Sequence, residues 1–399
     1  MKNLLIVLAG EPLTPYYFKK FSTLRKKNKK LKVKFWYILP IISKKIANKY
    51  YPAGQHTILK NKDFINIDNF SLLKKELKKL PKSFYFFNSS PKLIFSLLIE
   101  KFISLKGGQK ISIQLGGIPL VNSSFFQTVK FRLLNFNFVS IIKILLIPSN
   151  FLTNIIKKSL ETKPSIFFVP NKYWYELRKK NNKISKIKKI NDHEYEVFKK
   201  LRKLPRKKNQ IIFIDEMKDS PMDHDCYWNY PKSLEINSEY YWDRINSFLD
   251  IVHEQTRINP VIAAAHRRKK DDIPINKKFI FNKTPELIKD AKLVLSHSST
   301  AIHYAVLFKK PIILLNINEF EKKQTSILHV RKFQQLLGCA VVKIEEILEK
   351  FDKFKVEKYL TVNHKKYENF IDNFLRFKDS KEFGVWEKIS LELSKNKND

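Results

Sequence analysis

The chain has 399 residues, a length that favours two domains over one. Its composition, with 43% hydrophobic and 13% aromatic residues, excludes a mainly disordered protein. The net charge of +39, from 77 Lys and Arg against 38 Asp and Glu, is compatible with nucleic acid, an anionic membrane surface or an acidic substrate as partner. A genome rich in A and T would impose the same excess of Lys with only 8 Gly, so the charge alone selects no partner.

Cysteine use and hydropathy indicate the compartment. Two cysteines, Cys226 and Cys339, offer no disulfide framework, which is typical of a reducing environment. The apolar run at residues 4–9 is too short for a secretion signal and predicts a first strand instead. The longest apolar stretch, residues 136–156, is broken by Lys, Pro and Asn and lacks the roughly 18 uninterrupted apolar residues of a spanning helix. We expect a cytoplasmic protein, soluble or peripheral on the inner face of the cytoplasmic membrane.

Short apolar runs alternate with helical patterns along the first half of the chain. The runs that predict strands are residues 4–8, 33–39, 84–87, 111–115, 144–147 and 166–169, and the clearest helices are residues 92–105 and 150–160. Runs that are apolar on both faces and separated by helices are typical of a parallel sheet covered on both sides. The first half therefore predicts a doubly wound α/β domain.

A segment rich in Lys, Arg and Asn at residues 172–209 interrupts the alternation, which then resumes. Predicted strands follow at residues 211–214, 261–265, 293–295, 312–315 and 340–342, with helices at 240–256, from 285, and at 300–308, 345–350, 365–377 and 384–394. We predict an α/β protein with two Rossmann-like domains that face a central cleft. The predicted parts are a first Rossmann-like domain (1–175), a basic connector (176–209), a second Rossmann-like domain (210–362) and C-terminal helices (363–399). Ligands of such sheets bind at the carboxyl ends of the strands.

The strongest motif follows the predicted strand at residues 293–295. It consists of Ser296, His297, Ser298, Ser299 and Thr300 and leads directly into a helix. Backbone N–H groups and hydroxyls at the start of a helix form a natural site for a phosphate. The alternative is that Ser298 or Ser299 only caps the helix.

A second motif ends the predicted strand at residues 261–265. His266, Arg267 and Arg268 follow it directly. An imidazole beside guanidinium groups can neutralise a phosphate diester or protonate a departing nucleotide. The alternative for His266 is a histidine that only fills the core.

A third motif is acidic and follows the strand that opens the second domain. Its members are Asp215, Glu216, Asp223, His224 and Asp225. These groups can supply a general base, a carboxylate nucleophile or metal ligands, and the alternative is a solvated acidic loop. The last three residues have the Asp-x-Asp form that holds a divalent ion, but the two-domain layout favours a metal-independent reaction. We therefore predict no metal site.

Glycines follow two predicted strands of the first domain. Gly10 with Glu11, and Gly116 with Gly117, occupy turns where backbone can approach a ligand closely, so we expect them to contact a substrate on the side of the first domain. Ordinary turn glycines are the alternative. No Walker A loop and no G-x-G-x-x-G occurs, which disfavours an ATPase or a dinucleotide enzyme.

Together, the strand ends at Asp215, at His266 and at the Ser296–Thr300 motif resemble the C-terminal domain of GT-B glycosyltransferases of bacterial surface-polysaccharide synthesis. The likeness covers about residues 210–316 and is nearest to CMP-sugar users, the retaining β-Kdo transferases and bacterial sialyltransferases. In those families a His after a strand, usually followed by Pro, and a Ser-Ser or Ser-Thr pair bind the CMP phosphate.

The resemblance implies these roles for His266 and for Ser298 with Ser299, although Arg267 replaces the usual Pro. The retaining Kdo transferases use an Asp nucleophile, which implies Asp225 or Asp215 here. The implied function is transfer of a Kdo-like or sialic-acid-like sugar from a CMP-sugar to a lipopolysaccharide, O-antigen or capsule acceptor, with no metal and no cofactor.

The implied partners are a nucleotide-sugar donor and a lipid-linked or oligosaccharide acceptor, and Lys-rich helices suit contact with anionic lipid. A GT-B enzyme that uses a UDP-, GDP- or CDP-linked donor, including polyol-phosphate transfer, is an open alternative. A basic nucleic-acid-binding protein is the other. We expect no nucleic acid, because the aromatic residues lie in apolar strand and helix patterns and form no evident basic platform.

Overall fold

The computed structural model describes segments from both halves of the chain. The described residues are 4–9, 21, 23–24, 29, 31–44, 47–48, 63–90, 94–114, 155–180, 186–205, 209–219, 236–265, 268, 274–321, 324–378 and 384–394. None of the helices in these segments combines the length and the apolar character needed to cross a bilayer.

A first sheet of seven parallel strands lies in the N-terminal half of the described residues. Its strands are β1 (Leu4–Ala9), β2 (Lys32–Tyr37), β3 (Phe64–Asn66), β4 (Phe84–Asn88), β5 (Gly108–Ile113), β6 (Ile166–Val169) and β7 (Lys186–Lys189). The order across the sheet is β3-β2-β1-β4-β5-β6-β7, so the chain begins near the middle. The named helices here are α1 (Leu39–Ile42), α2 (Phe70–Lys78), α3 (Ile94–Leu105) and α4 (Lys172–Lys180).

A second sheet of six parallel strands follows in the described C-terminal half. Its strands are β8 (Gln210–Ile214), β9 (Val261–Ala263), β10 (Phe279–Ile280), β11 (Ala291–Ser296), β12 (Ile312–Asn316) and β13 (Ala340–Lys343), in the order β10-β9-β8-β11-β12-β13. The helices are α5 (His193–Leu201), α6 (Ser238–Thr256), α7 (Thr284–Lys289), α8 (Ile302–Leu307), α9 (Asn318–Glu321), α10 (Gln324–Leu337), α11 (Ile344–Glu349), α12 (His364–Phe370) and α13 (Val385–Ser394). One π-helical turn, Ile371–Leu375, extends α12.

Both faces of each sheet are covered, as the two-sided apolar runs predict. On β1, Leu5 and Val7 lie in one core, while Leu4 and Ile6 lie in the core on the opposite face. The strand β8 divides its side chains between two cores in the same way. This alternation is the expected result of side chains that point to opposite faces of a strand. The predicted pair of doubly wound α/β domains is confirmed.

The helices α2 and α6 each begin at an asparagine that caps them. The side chain of Asn69 accepts the N–H of Leu72 at 2.8 Å at the start of α2. Asn237 accepts the N–H of Tyr240 at 2.9 Å at the start of α6. Each cap satisfies a backbone donor that has no partner inside the helix, which stabilises the helix by about 1 kcal/mol.

The chain crosses between the two halves twice. The helix α5 follows the last strand of the first sheet but packs on the second sheet, where the rings of Phe198 and Phe308 lie 5.0 Å apart. The helix α13 returns to the first sheet and buries Trp386 in its core. Lys188 of β7 pairs with Glu392 of α13 at 2.9 Å. Each half is therefore completed by a helix from the other part of the sequence.

The segment 176–209, expected to be a basic connector, holds the end of α4, the strand β7 and all of α5. The strand β7 pairs with β6, with Ile187 opposite Phe167, so the first sheet extends into this segment. Lysines on an edge strand protect it from pairing with other chains, and the same lysines hide its strand pattern in the sequence. The predicted strand at 144–147 lies outside the described residues.

Candidate functional site

The sheet order brings two of the predicted motifs together. The strands β8 and β11 are parallel neighbours, with Leu295 opposite Phe213. Their carboxyl ends therefore meet at one edge of the sheet. The residues that follow β8 begin with Asp215, and those that follow β11 begin with His297, so the acidic motif lies beside the serine motif.

Glu216 connects the two motifs. Its Oε1 atom accepts the hydroxyl of Ser296 at 3.0 Å and the backbone N–H groups of His297 at 3.0 Å and Ser298 at 2.7 Å. Lys218 lies on the other side of the carboxylate, with Nζ 3.1 Å from Oε2. In this structure the carboxylate therefore occupies a small anion site in the turn after β11.

The charge of Glu216 is retained in spite of its burial. Burial raises the pKa of this carboxyl group, but the charge of Lys218, the electrostatic effect of His297 and the N–H of Ser298 outweigh burial, and the net result is a lowered pKa. An ionised carboxylate with several donors is a strong hydrogen-bond acceptor. The contacts of Glu216 therefore hold the turn after β11 in one conformation.

His297 is fully buried under the turn. Its Nδ1 atom lies 2.8 Å from the carbonyl oxygen of Leu315, and its Nε2 atom lies 3.0 Å from the hydroxyl of Tyr241. A carbonyl oxygen only accepts, so Nδ1 carries the proton and Nε2 accepts from Tyr241. Burial lowers the pKa of His297 to about 4, although the charge of Glu216 acts in the opposite direction. The neutral ring packs edge-on against Phe320 and positions the turn.

The remaining residues of the serine motif become progressively more exposed along the chain. Ser298 is buried, Ser299 is half-buried and Thr300 is exposed. The Oγ atom of Ser298 lies 3.5 Å from Nζ of Lys218, and Oγ of Ser299 accepts the N–H of Ala301 at 3.2 Å. The N–H groups of Ser299 and Thr300 have no hydrogen-bond partner within the described part of the chain. The Ser298 hydroxyl also donates to Oε2 of Glu216 over a long 3.5 Å. The two N–H groups and the Lys218 ammonium are donors for a second anion, and the Ser298 hydroxyl joins them if it turns away from Glu216.

Asp215 belongs to a separate buried cluster with Arg268 and Asp219. Arg268 donates from Nε to Asp215 Oδ2, and its Nη2 atom donates to Asp215 Oδ1 at 3.0 Å and to Asp219 Oδ1 at 2.7 Å. The N–H groups of Ala265 and Met217 also donate to Asp215. Both carboxylate oxygens of Asp215 are thus engaged in holding the ends of β8 and β9 together.

The guanidinium of Arg268 is held by these two carboxylates. Burial acts to lower the pKa of Arg268, but hydrogen bonds and charge from Asp215 and Asp219 outweigh burial and raise it. The guanidinium also lies over the ring of Trp242, 5.1 Å from its centroid. Cation–π contact and bidentate pairing fix the orientation of a guanidinium. Arg268 therefore holds the residues after β8 in place, and the carboxylates of Asp215 and Asp219 balance its positive charge.

Sequence reasoning missed two basic groups at the serine turn. Lys218 is part of the loop after β8, and only the pairing of β8 with β11 places its ammonium beside Ser298. His329 lies on α10 and is half-buried. Burial lowers the pKa of His329, and the charges of Lys218 and Glu216 also act on it. The turn therefore has a lysine and a neutral histidine nearby.

The other predicted site residues lie outside the described residues: Asp225, His266, Arg267, Gly10, Glu11, Gly116 and Gly117. In the sequence His266 follows Ala265, whose N–H donates to Asp215 of the acidic motif. Asp225 belongs to the same motif in the sequence.

Two doubly wound domains, with the chain returning to the first sheet at its C-terminal end, constitute the GT-B fold. The chain is similar to the wall teichoic acid polymerase TagF in its H444N variant, with a TM-score of 0.52 and 10% identity over 98% of this chain and 88% of the other. The same variant soaked with CDPG gives a TM-score of 0.51 and 9% identity over 98% and 88% of the two chains. MurG of Acinetobacter baumannii gives 0.47 and 10% over 99% and 100%. The predicted GT-B fold is thus confirmed.

No protein-family model matches the chain, and no curated protein is similar enough to it in sequence to count as a relative.

Proposed function

We propose that the chain is a GT-B glycosyltransferase that takes its sugar from a nucleotide-linked donor. The observation that carries the proposal is the turn after β11. It holds one carboxylate at the N–H groups of His297 and Ser298 and offers further donors at Ser299 and Thr300. Such a turn at the carboxyl end of a parallel strand is where α/β sheets bind phosphorylated ligands. The chain shares its fold with the wall teichoic acid polymerase TagF, which supports the same class.

In this proposal the donor phosphate binds beside Glu216 and leaves its bonds from Ser296 and from the N–H groups of His297 and Ser298 intact. The Ser298 hydroxyl turns to the phosphate from Glu216 Oε2, which lies 3.5 Å away. The phosphate oxygens accept from the hydroxyl of Ser298, the N–H groups of Ser299 and Thr300, and the ammonium of Lys218. Lys218 then lies between the carboxylate of Glu216 and the phosphate. Glu216 fixes the turn in the geometry that binding requires, and less entropy is lost when the donor binds.

The reaction breaks the bond between the anomeric carbon and the phosphate oxygen. The electron pair leaves with the nucleotide, and an acceptor hydroxyl that loses its proton forms the new glycosidic bond. His266, Ser298 and Ser299 stabilise the negative charge on the departing phosphate. Asp225 acts as nucleophile or base. The four hydrogen bonds that already engage Asp215 favour Asp225 for this role.

We propose a CMP-linked acidic sugar as the donor, on the resemblance to Kdo and sialic acid transferases, and no metal in the transfer step. Such a sugar carries its own carboxylate, and CMP is a good leaving group, so phosphate stabilisation matters more than a metal ion. A CDP-linked donor is the rival, since TagF has been soaked with CDPG. UDP- and GDP-linked donors share the same phosphate chemistry.

The acceptor is a lipid-linked or oligosaccharide glycan on the side of Gly10, Glu11, Gly116 and Gly117. One face of α3 supports contact with a membrane that carries such an acceptor. Phe95, Phe102 and Leu105 follow helical spacing, and their side chains are 48%, 47% and 73% exposed. Aromatic side chains beside lysines suit the interface of an anionic bilayer. In this proposal the enzyme works on the inner face of the cytoplasmic membrane.

Thermal unfolding with CMP, CDP, UDP, GDP or a short DNA tests the class of ligand. A ligand that binds only the native state at 100 times its Kd stabilises the protein by about 2.7 kcal/mol. We expect CMP alone to raise the melting temperature, with and without EDTA. The variant Ser298→Ala should lose this shift, and Ser159→Ala, an exposed serine in the first half, should keep it.

Donor assays follow with CMP-Kdo and CMP-sialic acid. Asp225→Asn should abolish transfer while the CMP shift remains. Stabilisation by CDP, UDP or GDP instead of CMP would leave the proposed transferase activity standing but assign it a different nucleotide-linked donor. A response to DNA alone would refute the enzymatic proposal.

A further inference from the structure

A cluster of metal-ligating side chains lies between α5 and α8, away from the serine turn. It consists of Asp192, Glu194 and His303, and one potential ligand atom from each lies within 4.8 Å of the others. Asp192 is the N-cap of α5, Glu194 lies in the first turn of α5, and His303 lies in the first turn of α8. The two helices pack against each other, which brings the three side chains together.

His303 is fully buried, and neither of its ring nitrogens has a hydrogen-bond partner among the described residues. An unpaired ring nitrogen in the interior costs free energy unless it bonds to a ligand. The ring of His303 lies against the ring of Phe370, with centroids 5.6 Å apart, so this neighbour offers its nitrogens no hydrogen-bond acceptor. A neutral imidazole has a free lone pair, which is the form that binds metal ions.

Asp192 is also fully buried. Its Oδ1 atom accepts the N–H of Glu194 at 3.0 Å and caps α5, whereas Oδ2 has no hydrogen-bond partner in the described segments. Buried carboxylates are normally paired or coordinate a metal. The cap accounts for one oxygen only, so the other is buried without a hydrogen-bond partner in a residue of the cluster.

The donor set matches a first-row divalent ion. Zn²⁺ binds His nitrogen and carboxylate oxygen at about 2.0–2.2 Å, which places tetrahedral ligand atoms about 3.4 Å apart. The ligand atoms lie within 4.8 Å of one another, so an ion would have to draw them together to reach that spacing. Two carboxylates also balance the charge of a divalent ion in the interior. Imidazole excludes Mg²⁺ and Ca²⁺ as preferred ions, because they favour oxygen ligands alone.

We propose that Asp192, Glu194 and His303 form a binding site for a divalent transition-metal ion such as Zn²⁺. The site is structural and stands apart from the proposed transferase reaction. It joins the segment that leaves the first sheet to the helix that follows the serine turn. Metal binding therefore stabilises the packing of α5 on the second domain, and its loss leaves the transfer chemistry itself intact.

The test uses the full-length protein without an affinity tag, stripped with EDTA and dialysed. Zn²⁺ binding is measured by competition with a chromophoric chelator, and thermal unfolding is recorded with and without Zn²⁺. We expect one Zn²⁺ per chain at this site and a higher melting temperature in its presence. His303→Asn should weaken Zn²⁺ binding at least about 100-fold, because loss of even an outer partner weakens binding 10–100-fold.

Two variants separate the metal from the fold. Asp192→Asn retains a side chain that caps a helix as well as Asp does, but it removes a charged ligand. It should fold with unchanged circular dichroism and lose Zn²⁺ binding. His364→Asn changes an exposed histidine at the start of α12 and should bind Zn²⁺ like the original protein.

The proposal is overturned if the stripped protein takes up no Zn²⁺, or if Asp192→Asn and His303→Asn bind it as tightly as the original chain. Equal loss in His364→Asn would place the metal elsewhere and also overturn the proposal. Nucleotide-induced stabilisation is measured on the same samples. A failure of the metal site alone leaves that shift intact, so it can be distinguished from a failure of the proposed transferase.

Discussion

Replacing Glu216 by Gln tests whether this carboxylate holds the serine turn together. The amide oxygen of Gln still accepts from Ser296, His297 and Ser298, but the bonds become neutral and about half as strong. The amide nitrogen is a donor and faces the ammonium of Lys218, so the ion pair is lost. Removing one partner of a buried pair costs about 3–5 kcal/mol. Lys218 is partly exposed and can turn to water, so we expect a loss of about 2 kcal/mol at pH 7.

The effect should depend on pH in a defined direction. The lowered pKa of folded Glu216 means that the unfolded chain takes up a proton at higher pH than the folded chain does. The stabilisation is fully present above the unfolded pKa of about 4.3 and is lost as the pH falls through the folded value. The difference between the original chain and Glu216→Gln should therefore shrink below about pH 4.

Urea unfolding followed by circular dichroism at pH 7 and about pH 3 measures this effect. Glu368→Gln is the matched control, because Glu368 pairs with Lys309 at 2.9 Å at the surface, where such pairs contribute about 0–1 kcal/mol. CMP affinity should fall together with stability in Glu216→Gln, since the turn loses its fixed geometry. If the variant is as stable as the control at pH 7, or binds CMP more tightly, Glu216 does not hold the turn.

Three further substitutions test other parts of the structure. His297→Phe leaves the buried Tyr241 hydroxyl and a carbonyl without their partner and should cost about 2–4 kcal/mol in urea unfolding. Asp215→Asn weakens the buried pair with Arg268 and should lower the free energy of unfolding by about 3 kcal/mol. A loss below about 0.5 kcal/mol, which is typical of surface substitutions, would contradict the role assigned to the pair. Phe102→Glu should reduce sedimentation of the protein with anionic vesicles without a change in melting temperature. Unchanged sedimentation would show that α3 does not contact the membrane.

The core strands were predictable because burial on both faces leaves a continuous apolar signature. β1, β6, β8 and β12 all show it and lie where the sequence places them. Edge elements were harder to predict: β3 and β10 are too short to show a period, and the lysines of β7 resemble a solvated surface. The helix α10 was missed although Val330, Phe333 and Leu337 follow helical spacing and Gly338 ends the pattern.

The candidate site was predictable in position but only in part in detail. Strand ends mark the edge where ligands bind, and this rule located the serine motif. The sequence holds no local sign that Glu216 fills the turn, because that contact depends on the pairing of β8 with β11. For the same reason Lys218 was missed. His297 is a hydrogen-bonded core residue, a role that becomes visible only once Tyr241 and Leu315 are brought to its two nitrogens.

The exchange of α5 and α13 between the halves sets a rule for building hybrid enzymes. A cut near residue 209 would strip α13 from the first sheet and expose the surface that Trp386 and Leu393 cover. It would also separate α5 from the chain that it packs against. A recombinant that takes its C-terminal half from another protein of this fold must therefore retain residues 384–394 of this chain. It must also join the new half after α5, at a surface shaped to receive Phe198. Modules of this architecture are interlocked and cannot be exchanged by a single crossover.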